Sequence, residues 1–165
     1  MTVTLALSEA IMDAAITKLR AGLAARVAVI NAADTAGVTI TTPASFYLGG
    51  AGPLAPQEPA VIVTELPSQD YSEEGQHSFI FTTDLFVAVY DMDTDRQVLA
   101  RKLLRQARAV VEVLWDDDPK EALTGSAMHL RPVRHAPGPV FEPTDDRTLW
   151  SALYGVVFRA VQLEP

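Results

Sequence analysis

Three aspartates at alternate positions are the first candidates for chemistry in this sequence. Asp91, Asp93 and Asp95 have the spacing of the first calcium ligands of an EF-hand loop. The rest of that loop is absent, because Arg96 stands in place of its glycine and Lys102 in place of its bidentate glutamate. The acids also precede a helical pattern, and negative charge stabilises a helix start. We therefore predict a helix cap and assign no metal.

Glycines and histidines offer two further candidate sites. Gly49, Gly50 and Gly52 are not followed by the Gly-Lys-Ser/Thr of a nucleotide-binding loop, so they predict a flexible arm. His129 and His135 lie on one predicted strand, where a six-residue spacing separates them by about 20 Å, too far for one metal ion. No motif assembles a nucleophile, a base and an orienting acid. The sequence thus predicts a protein that is not an enzyme and has no cofactor.

The stretch from Phe79 to Trp115 is predicted to organise the fold. Residues 79–90 alternate between apolar positions and a mixed second face, which is typical of a strand. After the acidic turn, Thr94 and Gln97 have the form of a capping box at a helix start. The apolar stripe of this helix, which is predicted to face the sheet, consists of Leu99, Leu103, Ala107, Val110 and Leu114. The basic stripe consists of Arg101, Arg105 and Arg108.

The remaining pattern completes an α+β fold. The further predicted elements are a helix over 8–31 capped by Ser8, strands over 60–66, 128–135 and 149–163, and a candidate short strand over 38–42. Extended loops are predicted at about 43–59, 67–76 and 136–147. Residues 149–163 are apolar on both faces, so we expect a central strand. We predict a single domain over 1–165, with a mixed, mainly antiparallel sheet and two main helices packed on one face.

Charge is unevenly distributed along the chain. The net charge is −8, which argues against ordinary duplex binding. No Lys or Arg lies between Arg26 and Arg96, whereas ten of the thirteen basic residues follow from Arg96 onward. This split suits self-association between an acidic and a basic surface, and the alternative is a solvated surface with uneven charge. The sequence contains no cysteine, which excludes disulfides and cysteine nucleophiles, and no run long enough to span a membrane. It lacks the basic start of a secretory signal, so we expect a cytoplasmic origin.

Taken together, these elements resemble the tail terminator and tail-completion proteins of long-tailed bacteriophages. The resemblance lies in the N-terminal helix, the Gly/Pro-rich loop, the hairpin ending in FTTDLFVAVYDMDTDRQVLARKLLRQARAVVEVL and the closing strand LWSALYGVVFRAVQL. It implies a structural virion protein that forms a ring with itself, usually a hexamer, at the head-proximal end of the tail tube. Such a ring ends tube polymerisation and joins the tail to the neck.

The resemblance also implies partners and contact residues. The expected partners are the tail tube protein and a neck or head-completion protein, with no specific nucleic-acid binding and no membrane, since DNA only passes through the channel. The expected location is the virion, after assembly in the host cytoplasm. Loop contacts to tube or neck are predicted at Phe46, Tyr47, Leu48, Glu73 and Glu74. The alternatives are a neck connector on the portal side and, from another class, a small-molecule-binding or enzymatic domain.

The basic stripe, Arg101, Arg105 and Arg108, is predicted to contact neighbouring subunits or the lumen. The alternative is a solvated helix face. On the first interpretation, charge reversal at Arg101 and Arg105 impairs ring assembly and leaves the fold intact.

Overall fold

The computed structural model describes residues 3–49, 59–73, 79–115, 128–145 and 147–164. Its helices are α1 (Val3–Ala32) and α2 (Arg96–Leu114). Its strands are β1 (Ser45–Leu48), β2 (Ala60–Glu73), β3 (Phe79–Asp93), β4 (Met128–His135), β5 (Val140–Pro143) and β6 (Trp150–Glu164). The structure confirms two of the predicted elements, the strand β3 and the helix α2 that follows it. Helix α1 begins at Val3, so the prediction that Ser8 caps it was wrong.

The strands form one mixed sheet in the order β1-β2-β3-β6-β4, with β5 pairing beside β4 on β6. Among the strands that the structure describes, β1 and β2 pair in parallel and the other pairs are antiparallel. The predicted α+β class with a mainly antiparallel sheet is therefore confirmed. Strand β6 pairs with β3 along one side and with β4 and β5 along the other. Its central position explains why both of its faces are apolar.

Both helices pack on one face of the sheet, as the apolar stripes predicted. Alternate residues of the two long central strands point to that face, where Phe81 and Leu85 of β3 and Phe158 of β6 are fully buried. Leu19 of α1 and Leu103 of α2 meet them in one cluster. The apolar stripe of α2 thus makes the predicted sheet contact.

The structure shortens all three predicted loops. Residues 43–59 contain β1, residues 67–76 contain the end of β2, and residues 136–147 contain β5. Beyond Pro67, β2 regains its pairing with β3 through a register shift between Glu65 and Gln69. Cross-strand pairing satisfies the backbone of this polar segment, which composition alone did not indicate. Residues 50–58 and 74–78 lie outside the described residues.

The candidate strand at 38–42 is not a strand. The backbone groups of Ile40 are paired by a side chain and not by a neighbouring strand. Asn31 Nδ2 donates to the Ile40 carbonyl at 2.8 Å, and Asn31 Oδ1 accepts from the Ile40 amide at 2.9 Å. Val38 and Ile40 are buried even so. The alternation in the sequence therefore marks burial rather than sheet pairing at this place.

Helix α2 is capped by Asp95 and not, as predicted, by Thr94. The Asp95 carboxylate accepts from the amide of Gln97 at 2.7 Å and from that of Val98 at 3.4 Å. Asp95 has extended backbone angles, as an N-cap residue requires. The acidic turn is thus a cap, but its capping group lies one residue later than the sequence motif indicates.

Asp95→Ala is expected to lower the free energy of unfolding by about 1 kcal/mol, because the first turn of α2 loses its side-chain acceptor. Thr94→Ala, which leaves that acceptor in place, is the matched control and is expected to have a smaller effect. Urea unfolding followed by circular dichroism measures both variants. Equal decreases in the free energy of unfolding of the two variants contradict the assignment of Asp95 as the cap.

Candidate interaction surface

The second face of the sheet carries a broad surface to which neither helix contributes in the described part of the chain. We call it the open face and define it by register. It comprises Tyr47 of β1, Ile62 and Thr64 of β2, Asp84, Phe86, Ala88 and Tyr90 of β3, and Leu153, Gly155, Val157 and Arg159 of β6. The apolar residues Ile62, Ala88 and Val157 on this face are buried, although they stand outside the core cluster under the helices.

Phe86 covers part of the open face by lying across Gly155. A Cβ atom built on Gly155 lies only 2.3 Å from Cε2 and Cζ of Phe86. In the β3–β6 ladder, Gly155 pairs with Ala88, and Phe86 pairs with Val157. The Phe86 ring therefore contacts Gly155 as a diagonal neighbour on the adjacent strand. The half-buried ring packs against backbone where any other residue would present a side chain.

An ion pair borders the apolar part of the open face. Arg159 donates from Nε to Asp84 Oδ1 at 2.8 Å and from Nη2 to Asp84 Oδ2 at 3.1 Å. The two residues are directly opposite in the β3–β6 ladder, which permits this bidentate geometry. Arg131 of β4 stands opposite Arg159 on the other side, so positive charge continues toward the edge of the sheet.

The three aspartates of the acidic turn have three separate roles. Asp91 is buried and accepts from Gln106 Nε2 at 2.9 Å, and burial raises its pKa above the ordinary value. Asp93 pairs with Lys102 Nζ at 2.5 Å, and Asp95 caps α2. Among the residues that the structure describes, no group of three or more potential ligands is placed to hold a metal ion.

The basic stripe on α2 is divided by its contacts. Arg101 and Arg108 are exposed, and Arg108 donates to Glu112 at 2.6 Å one turn further along the helix. Arg105 is half-buried and donates to the Asp34 carboxylate and to the Val38 carbonyl. Arg105 therefore fastens the segment after α1 to α2, so it differs from Arg101 and Arg108 in having partners on a different segment of the chain.

The predicted loop anchors lie in strands. Phe46 is half-buried on the helix side of β1, with the Arg20 guanidinium 5.4 Å from its ring centroid. Tyr47 and Leu48 are 39% and 45% exposed and point to opposite faces of the sheet. Glu73 ends β2 opposite Phe79, and Glu74 lies outside the described residues. Of the three apolar anchors, only Tyr47 belongs to the open face.

An open groove of about 530 Å³ runs between α1 and α2 on the side away from the sheet. Its lining consists of Lys18, Ala21, Gly22, Ala25, Arg26, Val29, Glu112 and Val113. Arg26 and Glu112 are paired with each other at 3.4 Å, so these charges do not converge on a ligand. The groove thus lacks the convergent polar groups of a small-molecule site.

Arg131 and Arg134 are not among the contact residues predicted from the sequence. Both are exposed on β4, the strand at the edge of the sheet. The available signal was the cationic run HLRPVRH with a proline inside it, because charges and proline are common on edge strands. The predicted strand at 128–135 was correct, and its edge position is what exposes these two side chains.

No protein-family model and no curated protein matches the sequence. Among solved structures, the chain is similar to one from a structure described as the virion of a native gene transfer agent particle. The sequence identity is 18% and the TM-score is 0.45, with 88% of this chain and 98% of that chain covered. A likeness of this size carries no argument about function. Within the described ranges, neither helix is long and apolar enough to cross a membrane.

Proposed function

We propose that this chain is a single-domain structural subunit of a tailed phage particle, which forms a ring at the head-proximal end of the tail tube. The ring ends tube polymerisation and joins the tail to the neck. In this proposal the chain assembles in the host cytoplasm, resides in the virion and takes the tube protein and a neck protein as partners. Rings of six are the expected form.

The observation that carries the proposal is the open face. Its half-buried side chains Phe86, Tyr90 and Leu153 lie on the same face as the Asp84–Arg159 ion pair, a mixture of apolar and charged groups that is typical of protein-contact surfaces. The tail-terminator resemblance of the strand-turn-helix stretch supports the same conclusion, because the matching residues form β3, the cap and α2. Arg101 and Arg108 remain proposed contacts to a neighbouring subunit or the lumen. Arg105 is no longer proposed, because its partners lie within the chain.

Polymerising tail tube protein provides the direct test. Electron microscopy with added chain is expected to show shorter tubes that carry a ring at one end, and mass photometry of the chain is expected to show an oligomer with closed symmetry. A chain that stays monomeric with or without tube protein, and that leaves tube length unchanged, contradicts the proposal. Binding to the neck protein with no binding to tubes supports the connector alternative.

A further inference from the structure

Two arginines of β4 extend the open face to the edge of the sheet. Leu130 of β4 is buried in the core under the helices, and Nδ1 of His135 lies on that same side, 3.2 Å from the hydroxyl of the core residue Tyr154. Successive side chains of a strand alternate between the two faces. Arg131 and Arg134, which adjoin Leu130 and His135, therefore point to the opposite side, which is the open face. Both arginines are exposed.

An irregularity in β4 brings these two arginines onto one face. Positions 131 and 134 are three apart and would point to opposite faces of a regular strand. A register shift follows Pro132 and adds one residue to β4. Arg131 therefore pairs with Arg159, and Arg134 pairs with Val157. Because positions 157 and 159 are two residues apart, the two arginines repeat at about 7 Å along the sheet.

The arginines on this part of the open face differ in their partners. Arg159 is held by Asp84 in a bidentate ion pair. Arg131 and Arg134 make no side-chain hydrogen bond or ion pair with the residues that the structure describes. We call Arg131, Arg134 and Arg159 the arginine cluster. Asp84 offsets one of its charges, and two guanidinium groups remain available to a partner.

The surroundings of the arginine cluster favour a protein partner over a nucleic acid. Arg134, Val157 and Phe86 stand in one row across β4, β6 and β3, which places apolar surface beside an unpaired charge. Nucleic-acid binding draws its affinity mainly from many phosphate contacts, and the net charge of −8 opposes the approach of such a polyanion. An acidic protein segment can pair bidentately with a few guanidinium groups and also cover apolar surface.

An extended acidic segment has the repeat that the two free arginines require. Alternate residues of an extended chain lie on one side about 7 Å apart, as Arg131 and Arg134 do. β4 is an edge strand, but proline and irregular pairing weaken a continuous backbone ladder at an edge. Recognition through side chains is therefore favoured over the addition of a further strand.

We propose that the arginine cluster binds an extended acidic segment of a partner protein, in which carboxylates at alternate positions pair with Arg131 and Arg134. The inference rests on the proposed function in one respect, because the tube protein or the neck protein is the partner expected to carry this segment. The pairing itself depends only on this chain and can be measured without either protein.

The probe is a short synthetic peptide in which glutamate alternates with threonine. Fluorescence anisotropy with the full chain is expected to show saturable binding. Most of this binding is expected to disappear at an ionic strength of about 1 M, where the screening length is about 3 Å. The same peptide with glutamine in place of glutamate is expected not to bind. If the unchanged chain does not bind the glutamate peptide, the inference is overturned.

Arg131→Gln with Arg134→Gln is expected to weaken peptide binding at least about tenfold, because two charged hydrogen-bond donors are lost. The control is Arg20→Gln with Arg26→Gln, which makes the same change in net charge at exposed positions of α1. It is expected to bind the peptide like the unchanged chain. Equal affinities of the two double variants overturn the inference.

Asp84→Asn tests the part of Arg159. The amide has nearly the shape of the carboxylate but no charge, so the Arg159 guanidinium becomes available to the peptide. Binding is expected to become several-fold tighter. Unchanged or weaker binding contradicts the assignment of Arg159 to the arginine cluster.

Two further measurements separate the other possible occupants. If oligothymidylate of the same charge binds as tightly as the peptide and loses affinity in the Arg131→Gln, Arg134→Gln variant, the partner is a nucleic acid and the inference is overturned. If that variant loses self-association while the unchanged chain binds no peptide, the arginine cluster belongs to a contact between copies, which also overturns it.

The inference and the proposed function can fail separately. A chain that binds the peptide through the arginine cluster, but neither forms rings nor caps tubes, retains this inference and loses the proposed function. A chain that caps tubes and does not bind the peptide retains the proposed function and loses this inference.

Discussion

Arg105→Glu is expected to lower the melting temperature markedly, whereas Arg101→Glu, one turn earlier on the same helix, is expected to leave it nearly unchanged. Arg105 donates to the Asp34 carboxylate and to the Val38 carbonyl, and Asp34 in turn accepts from the amides of Ala36 at 2.9 Å and Val38 at 2.7 Å. A glutamate at position 105 brings a second carboxylate toward Asp34 and removes the donor to Val38. Arg101 is exposed, and surface substitutions of this kind have small effects.

This expectation replaces the prediction that reversal of both arginines spares the fold. Differential scanning calorimetry of the two single variants at neutral pH measures the difference. Arg101→Glu can still be used to test subunit contact, because its effect on assembly is not confounded by the fold. Equal melting temperatures for the two variants contradict the role of Arg105 as a fastening residue.

The same contact predicts a dependence on pH. The hydrogen bond from Arg105, followed by that from the Ala36 amide, holds the pKa of Asp34 well below its ordinary value of 3.8. The folded state therefore binds this proton less tightly than the unfolded state, so the stabilisation is present above pH 3.8 and is lost as the pH falls below it. Arg105→Met lacks the guanidinium that lowers the pKa of Asp34. As the pH falls below 3.8, its free energy of unfolding is therefore expected to decrease less than that of the unchanged chain. Identical slopes of stability against pH contradict the assignment.

Gly155→Ala is expected to lower the free energy of unfolding by about 1–3 kcal/mol, because the new methyl group collides with the Phe86 ring. The Cβ atom falls 2.3 Å from two ring carbons, so the ring must move off β6 and uncover apolar surface on the open face. The effect arises from the partner side chain rather than from backbone strain, since Gly155 has no positive φ. Alanine is otherwise at least as good as glycine within a strand.

A double-mutant cycle separates these two causes. In a Phe86→Ala background the collision is gone, so Gly155→Ala is expected to be nearly neutral or slightly stabilising. Urea unfolding of the four proteins measures the coupling free energy between the two positions. The same loss from Gly155→Ala in both backgrounds shows that the ring is not the cause.

Local patterns predicted the regular elements well because their causes are local. The strand before α2 and the helix itself follow from apolar periods of about two and 3.6 residues, and both are confirmed. The apolar character of both faces of 149–163 correctly predicted a central strand. The acids before α2 correctly predicted a cap, although Asp95 rather than Thr94 supplies it, because one-residue differences at helix ends depend on backbone geometry.

Loop predictions failed where strand pairing overrides composition. Residues 69–73 are polar, yet they pair with 79–83 because the hairpin continues beyond the bulge. Residues 140–143 are flanked by prolines, yet they pair with the start of β6. Arg96 stacks on Phe141 and Trp150 from α2, each with its guanidinium carbon 4.8 Å from the ring centroid. The contacts that hold residues 140–143 in place are thus partly made by α2, which is distant in the sequence, so a local pattern does not predict them.

The sequence by itself determined the α+β class, the two helices with their apolar stripes, the central strand and the capping role of the acidic turn. Only the tertiary structure decided which arginines are available to a partner, because Arg105 meets Asp34 across 71 residues of chain. It likewise decided that Phe86 lies over Gly155 and that Arg131 and Arg134 are exposed at an edge of the sheet. Periodicity is a property of neighbouring residues, whereas exposure and edge position depend on strand order.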